Sequence, residues 1–369
     1  MLHVNIVTIY DSKNYGNRLQ NLAVTIVMNK LGFDVTTIDY EKKTYDTFTS
    51  KLKRLFHLLT NYIFAKDRDY WKYQLKREIR IGKIDKRYLK TAMISEIKDI
   101  PEADYFLIGS DQVWNPAWYD DYKIKKELFL LSFVEPNKRA TFAPSFGIEQ
   151  LPEEWKSTFS RELKKFKSVS VREDAGAKII RNLTGKDAFV MLDPTLMVDA
   201  KTWRRFEKRP KWLIRGPYIV TYFLGGLTER AEKLINNLNI DQQYQVYHLM
   251  KKEDCNVYSS NQLEFIYLID HADLILTDSF HASVFSFLLD KPFMVFDRAG
   301  QESSMKSRID TLLTKFSLER KYVNSDLKND IYEHDYSESY GVLENERRKS
   351  LEFLQNSLGI KTKKNKAAL

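Results

Sequence analysis

The 369-residue sequence predicts an α/β protein with parallel sheets in two successive units, on three observations. The chain opens as strand, loop, helix, strand, which is a βαβ start. Apolar strand segments then recur, each ending in small, polar or charged residues. From Tyr218 a second set of such segments begins, and it culminates in the stretch HADLILTDSFHASVFSFLLDKPFMVF, His271 to Phe296.

The opening unit runs from His3 to Ile9, through the polar loop YDSKNYGNRLQ, into a helix expected over Asn21 to Leu31. Gly32 stops that helix, and Asp34 to Ile38 form the next strand. The loop carries Gly16 alone between Tyr15 and Asn17, so the GxGxxG fingerprint of a dinucleotide site is absent. Residues 41–98 are basic, aromatic and helical in pattern, and Leu52, Leu55, Phe56, Leu58 and Leu59 form an apolar stripe beside Lys51, Lys53 and Arg54. One reading is a helical insert packed on the sheet. The sharper one is peripheral contact with an anionic membrane.

Regular α/β pattern resumes with Ala103 to Ile108, ending in GSDQVWNP, and Arg139 to Ala143, ending in PSFG. After a helix expected over Pro152 to Lys167, Ser168 to Val171 ends in REDAG at the head of a helix spanning Ala175 to Leu183. Ala188 to Leu192 ends in DPT. Such repetition is expected to stack polar groups on one edge of one sheet. Trp114 offers either a face for a sugar or a core side chain.

A Lys-, Arg- and Trp-rich linker spans Val198 to Pro217. The second unit then reads as a strand from Tyr218, a helix from Glu229, a strand near Gln245 to Leu249 and a helix over Gln262 to Ile269. In the closing stretch, Ala272 to Leu276 is a buried strand and Thr277-Asp278-Ser279 offers helix caps. His281 falls on the first helical turn, and Lys291-Pro292 ends the helix before the strand Phe293 to Phe296. A strand end that delivers Asp, Ser and His to a helix N-terminus is where open α/β sheets bind anions. The plainer alternative is a cap and a packed histidine. Helices follow at Ile309 to Leu318 and Tyr340 to Leu358, the latter able to fold back on the first unit. The tail KTKKNKAAL is expected to be disordered.

Composition bounds the function. Hydrophobic residues make up 43% and charged residues 30%, which suits a folded globular chain. Cys255 is the sole cysteine, which rules out an intramolecular disulfide and a cysteine-rich zinc cluster. With a strand-like start, MLHVNIVTIY, and no apolar run of about 20 residues, a cytoplasmic setting is expected. The net charge of +9 suits nucleic acid, anionic membrane or phosphate-bearing substrates. Its basic residues concentrate in the insert, linker and tail, which argues against a nucleic-acid surface.

The ordered set NYGN, GSDQVWNP, SFG, SVRED, DPTLM, TDSFHASVFSFLLDKPF and SRIDTLL resembles the polysaccharide pyruvyl transferase family from about Val4 to Leu318. The resemblance implies two Rossmann-like domains facing a GT-B-like cleft. The boundaries expected are 1–200, with the helical insert at about 41–98, then 201–335 with the donor site, and 336–369 as a returning helix and basic tail. It also implies a transferase that moves the enolpyruvyl-derived group of phosphoenolpyruvate onto a sugar, forming a pyruvate ketal. The acceptor would be a cell-surface polysaccharide or its lipid-linked precursor, handled in the cytoplasm or at the inner membrane face. Neither a metal nor a cofactor is expected.

Within that resemblance His281 is the general acid, and Asp278 orients it or takes the hydroxyl's proton. Where the family carries an arginine two residues before this histidine, the chain has Ser279. Arg172 and Arg308 are then the candidates, with Ser279, to hold the donor. Arg172 has a structural alternative in Glu173 or Asp174. Asn14, Gly16, Asn17, Ser110, Asp111 and Gln112 are the expected acceptor contacts. The competing activity is a GT-B glycosyltransferase using a nucleotide sugar, with Glu302 as a poor candidate for a ribose ligand.

Overall fold

The structure is a computed structural model that describes residues 1–9, 14–40, 68–119, 123–299, 306–323 and 331–360. The apolar stripe of the insert, Glu302 and the basic tail lie outside those residues.

The first half comprises β1 (Leu2–Val7), α1 (Tyr15–Lys30), β2 (Phe33–Tyr40), α2 (Arg68–Tyr88), β3 (Thr91–Ile94), β4 (Tyr105–Ile108), α3 (Lys123–Phe129) and β5 (Arg139–Thr141). It continues with α4 (Glu153–Leu163), β6 (Ser170–Val171), α5 (Asp174–Thr184), β7 (Phe189–Val190) and α6 (Ala200–Arg204). The second half has β8 (Tyr218–Tyr222), α7 (Glu229–Leu238), β9 (Gln245–His248), α8 (Cys255–Tyr258), α9 (Gln262–Asp270) and β10 (Leu274–Thr277). It ends with α10 (Phe280–Leu288), β11 (Phe293–Val295), α11 (Lys306–Lys315) and α12 (Ser337–Ser357).

Two open parallel sheets organise these elements, one ordered β3-β2-β1-β4-β5 and the other β11-β10-β8-β9. The fold is therefore α/β with two Rossmann-like domains facing a cleft, as the sequence predicts. In each sheet the order reverses at the first strand, between β1 and β4 and between β8 and β10. Crevices beyond the carboxyl ends of strands at such switch points are the ligand sites of open α/β sheets.

One expectation is corrected. The strands ending in REDAG and DPT do not join the first sheet, because β6 and β7 pair only with each other. Side chains replace the ladder between β5 and β6: Ser170 N donates to Thr141 Oγ1 at 2.7 Å, and Ala143 N donates to Ser170 Oγ at 3.1 Å. Polar strand ends still converge, but from two sheets.

The loop after β1 is shorter than expected. Asn14 caps α1 by accepting from Gly16 N and Asn17 N at 2.9 and 3.3 Å, so NYGN is the helix's first turn. That shift places Tyr15 in the apolar core, where its ring stacks on Phe265 of α9 at 4.9 Å. Its hydroxyl donates to Ser260 O at 2.9 Å. A single buried apolar cluster runs from Val4 and Leu19 to Tyr222, Phe265 and Phe285, crossing from one half to the other. An interface of that kind restrains relative domain motion.

The described part of the insert, α2, straps the two halves together. Its buried face is spaced at helical period: Gln74, Arg77, Ile81 and Asp85. Arg77 places its guanidinium 4.2 Å from the Tyr15 ring centre and donates to Tyr258 O at 2.7 Å. Asp85 accepts from Gln262 Nε2 at 3.0 Å and pairs with Arg18 of α1 at 3.3 Å.

At the far end of the chain α12 returns to the first half. Arg347 donates to Leu196 O at 2.6 Å and to Val198 O at 3.2 Å, and Phe353 stacks on Phe189 at 5.1 Å. No helix among the described residues is long and apolar enough to cross a membrane.

Candidate active site

A cleft of about 340 Å³ lies between the two switch points. From the first half Asn14, Asn17, Asp111 and Gln112 line it, and from the second Ser279, His281, Arg298 and Arg308. Ile9, Ile38, Tyr40 and Phe129 supply apolar wall. GSDQ and TDSFH thus face each other. A larger cavity of about 670 Å³ lies on the second sheet's own edge, around His248 and Lys251. It shares only Leu224 with the cleft and holds none of the motif residues.

α10 brings His281 to the cleft on its first turn, and the cap residue Ser279 makes no side-chain hydrogen bond to the helix. The histidine is 6% exposed. Its Nε2 lies 3.7 Å from Asp193 Oδ2, an electrostatic pairing too long for a hydrogen bond, and has no hydrogen-bond partner among the described residues. Nε2 is itself buried and turned toward Asp193, so this edge of the ring is committed to that carboxylate.

Asp193, from the DPT segment, is the carboxylate beside this histidine. Thr195 donates to its Oδ1 from both N and Oγ1, at 2.9 and 2.6 Å, and Arg172 donates to Oδ2 at 2.7 Å. Burial alone would raise its pKa, but His281 and Arg172 outweigh burial and hold the carboxyl well below the usual carboxylate range. Asp278, expected to orient His281, does something else. It accepts from Leu224 N at 2.7 Å and Gly225 N at 2.9 Å, and pairs with Arg298 at 3.3 Å. Its side chain is fully buried behind the wall.

Arg172 also stands behind the wall, with its side chain 1% exposed. It bridges Asp193 at 2.7 Å and Asp111 at 3.4 Å, and its guanidinium stacks over the Phe280 ring at 4.8 Å. Neither Glu173 nor Asp174 is its hydrogen-bonding partner. Glu173 Oε1 instead accepts from Ser145 Oγ, Phe146 N and Gly147 N at 3.0, 2.8 and 3.2 Å. Arg308 does reach the cleft, 3.9 Å from Asp111. Burial, reinforced by the Arg172 guanidinium, pushes its pKa down to about 10, so a bound anion would stabilise its charged form.

Asp111 is the hub on the first wall. Asn17 Nδ2 donates to its Oδ2 at 3.0 Å, and its Oδ1 accepts from Gln112 N at 2.9 Å. Burial opposes ionisation, but Arg172, His281 and Arg308 together hold its pKa below the ordinary carboxylate value. Ser110 is fully buried, with Oγ donating to Ala143 O at 2.7 Å and N donating to Gln20 Oε1 at 2.9 Å. Gly16 contributes close approach: a Cβ built on it would lie 2.1 Å from His281 Nδ1. Trp114 is a core side chain, fully buried, with Nε1 donating to Phe129 O at 3.0 Å.

Sequence reasoning missed Asp193 and Arg298, although DPT and DRAG both follow strands and carried the signal. For a cation, Glu207, Asp270 and His271 bring ligand atoms within 4.8 Å of one another. Arg204 already fills that role, donating to both Asp270 oxygens at 2.9 Å.

Among solved structures, the chain is similar to the glycotransferase of kitacinnamycin, with 11% identity over 97% of this chain and 99% of that one and a TM-score of 0.41. It is also similar to UDP-GlcNAc 2-epimerase from Neisseria meningitidis, with 10% identity over 96% and 100% of the two chains and a TM-score of 0.43. A third is E. coli ADP-heptose lps heptosyltransferase II, 11% identical over 97% and 98%, with a TM-score of 0.37. Comparison with curated proteins finds no match. The family described as polysaccharide pyruvyl transferase matches residues 14–300, from the cap of α1 to the loop after β11 and so across both walls of the cleft. The chain belongs to the polysaccharide pyruvyl transferase family and is a transferase.

Proposed function

We propose that this protein moves the enolpyruvyl-derived group of phosphoenolpyruvate onto a sugar of a cell-surface polysaccharide or its lipid-linked precursor, closing a pyruvate ketal. The observation that carries the reading is the pairing across the cleft. A buried histidine backed by Asp193 sits on a helix N-terminus in one wall, and carboxamide and carboxylate side chains stand in the other.

The chemistry divides accordingly. His281 protonates the methylene carbon of the enol, and positive charge develops at the adjacent carbon. A sugar hydroxyl attacks there and gives up its proton to Asp111 on the facing wall in this reading. The C–O bond to phosphate then breaks and a second hydroxyl attacks the same carbon, its proton leaving with the phosphate. One proton is taken up and one released in the first addition, so no co-reactant is required. Asp193 supplies fixed negative charge beside His281, near the developing cation. Asn14, Asn17 and Gln112 are the hydroxyl partners, and the apolar wall around Ile38 and Tyr40 suits a sugar face.

The test is release of phosphate from phosphoenolpyruvate in the presence of a panel of free and lipid-linked glycans, with ketal formation followed by mass. Acceptor-dependent release supports the reading. Inertness towards phosphoenolpyruvate combined with turnover of a UDP-sugar would establish a nucleotide-sugar glycosyltransferase instead.

A further inference from the structure

Arg298 lies three residues past β11, at a strand end of the second sheet, and lines the cleft with Ser279 and Arg308. Its side chain is 12% exposed and is held in two ways. Nε sits 3.3 Å from Asp278 Oδ2, and Nη2 donates to Asp278 O at 3.2 Å. The stem lies over Gly225, where a Cβ would meet Arg298 Cγ at 2.5 Å and Ala299 N at 3.1 Å, so only glycine leaves room for it. Asp278 is itself fixed by the Leu224 and Gly225 N–H groups. The guanidinium is therefore preorganised on the wall, and Nη1 makes no hydrogen bond to any described residue.

The other cleft cations are placed differently. Arg172 is behind the wall and bridges two carboxylates, and Arg308 faces Asp111 of the opposite half. Arg298 is held by Asp278, a carboxylate of its own half that already accepts two backbone hydrogen bonds. The N-terminus of α10 opens at Ser279, on the same wall. A preset guanidinium beside the positive end of a helix is the combination that suits the more highly charged end of a ligand.

We infer that Arg298 binds the phosphate of the donor together with the α10 N-terminus, and that Asp278 is its positioning residue. This rests on the pyruvyl-transfer reading, with phosphoenolpyruvate as donor. The donor's carboxylate is left to the remaining cation of the cleft, Arg308.

The experiment compares wild type, Arg298→Lys, Arg298→Ala and Asp278→Asn by steady-state kinetics and by inhibition with inorganic phosphate and with oxalate, which carries carboxylates only. Arg298→Ala should raise KM for phosphoenolpyruvate about 10- to 100-fold, the worth of a charge-assisted pair. It should raise Ki for phosphate in parallel and leave Ki for oxalate and KM for the acceptor unchanged. Arg298→Lys should fall between, and Asp278→Asn should weaken phosphate and phosphoenolpyruvate together. Equal losses for phosphate and oxalate, or wild-type constants in Arg298→Ala, would overturn the assignment. Wild-type protein that neither binds nor turns over phosphoenolpyruvate would instead overturn the reading of the reaction. Melting temperatures of the variants separate both results from misfolding, and Arg298→Lys retains the charge if Arg298→Ala does not fold.

Discussion

The imidazole of His281 rests against the bare α-carbon of Gly16, so near that a methyl group there would sit 2.1 Å from Nδ1 and 2.7 Å from Cβ. The contact joins the first turn of α1 to the first turn of α10, across the two halves. Gly16 N already donates to the Asn14 cap at 2.9 Å, so the residue has no backbone donor left for an acceptor sugar. What it offers is the absence of a side chain.

Gly16→Ala should therefore separate stability from activity. Alanine gains roughly 0.5–1 kcal/mol in a helix, whereas overpacking costs typically ~1–3 kcal/mol, so the melting temperature should move little. The ring of His281 must shift, and a displacement of about 1 Å at a reacting group costs on the order of 10²-fold in rate. Calorimetry and turnover on the same preparation check this. Unchanged turnover would show that the Gly16 contact does not set the position of His281.

His281→Gln keeps the approximate size and hydrogen-bonding capacity of the side chain while removing the acid. Turnover should fall about 10²–10⁴-fold, the usual contribution of general acid–base catalysis. KM for the donor should change little, because the proton moves only on the way to the transition state. Near-normal turnover would leave this histidine a packing or binding group.

Much of this cleft was legible because strand ends in open α/β sheets are marked by apolar runs stopping at polar residues. GSDQ and TDSFH needed nothing more than that rule. What escaped the sequence is partner choice at long range. SVRED offers Arg172 as a donor ligand, or alternatively as a partner of its own neighbours, yet its partners are carboxylates 21 and 61 residues away. Basic composition likewise suggests a solvated insert, but Arg77 is 1% exposed because two tyrosine rings, Tyr15 and Tyr258, receive its guanidinium. Strand segments of two residues, such as Ser170–Val171, carry too little pattern to say which sheet they join.

Arg172→Lys follows from the placement just described. Lysine keeps the charge but cannot span Asp193 and Asp111 with a planar fork. Loss of one buried charge-assisted hydrogen bond should lower stability by about 2 kcal/mol. Turnover should fall with it, because Asp193 also faces His281. Donor KM should change less than turnover. A variant altered only in donor KM, with an unchanged melting temperature, would show instead that Arg172 touches the donor directly.

Asp85 gives the strap a pH dependence. Burial pushes its pKa up to about 6, and Arg18 and the hydrogen bond from Gln262 offset only part of that. The unfolded value is about 3.9, so between those pH values the folded chain holds the proton that the unfolded chain has lost. Stability from this group is thus fully present below about pH 4 and is lost as the pH rises through about 6, an effect on the order of 3 kcal/mol. Asp85→Asn stays uncharged and keeps an acceptor for Gln262 Nε2. The melting temperature of the variant minus that of wild type should therefore climb between about pH 4 and pH 7 and level off above it. A difference that is flat across this range would mean that Asp85 is ionised throughout in the folded protein. The Arg18 pair would then hold α2 against α1 independently of pH.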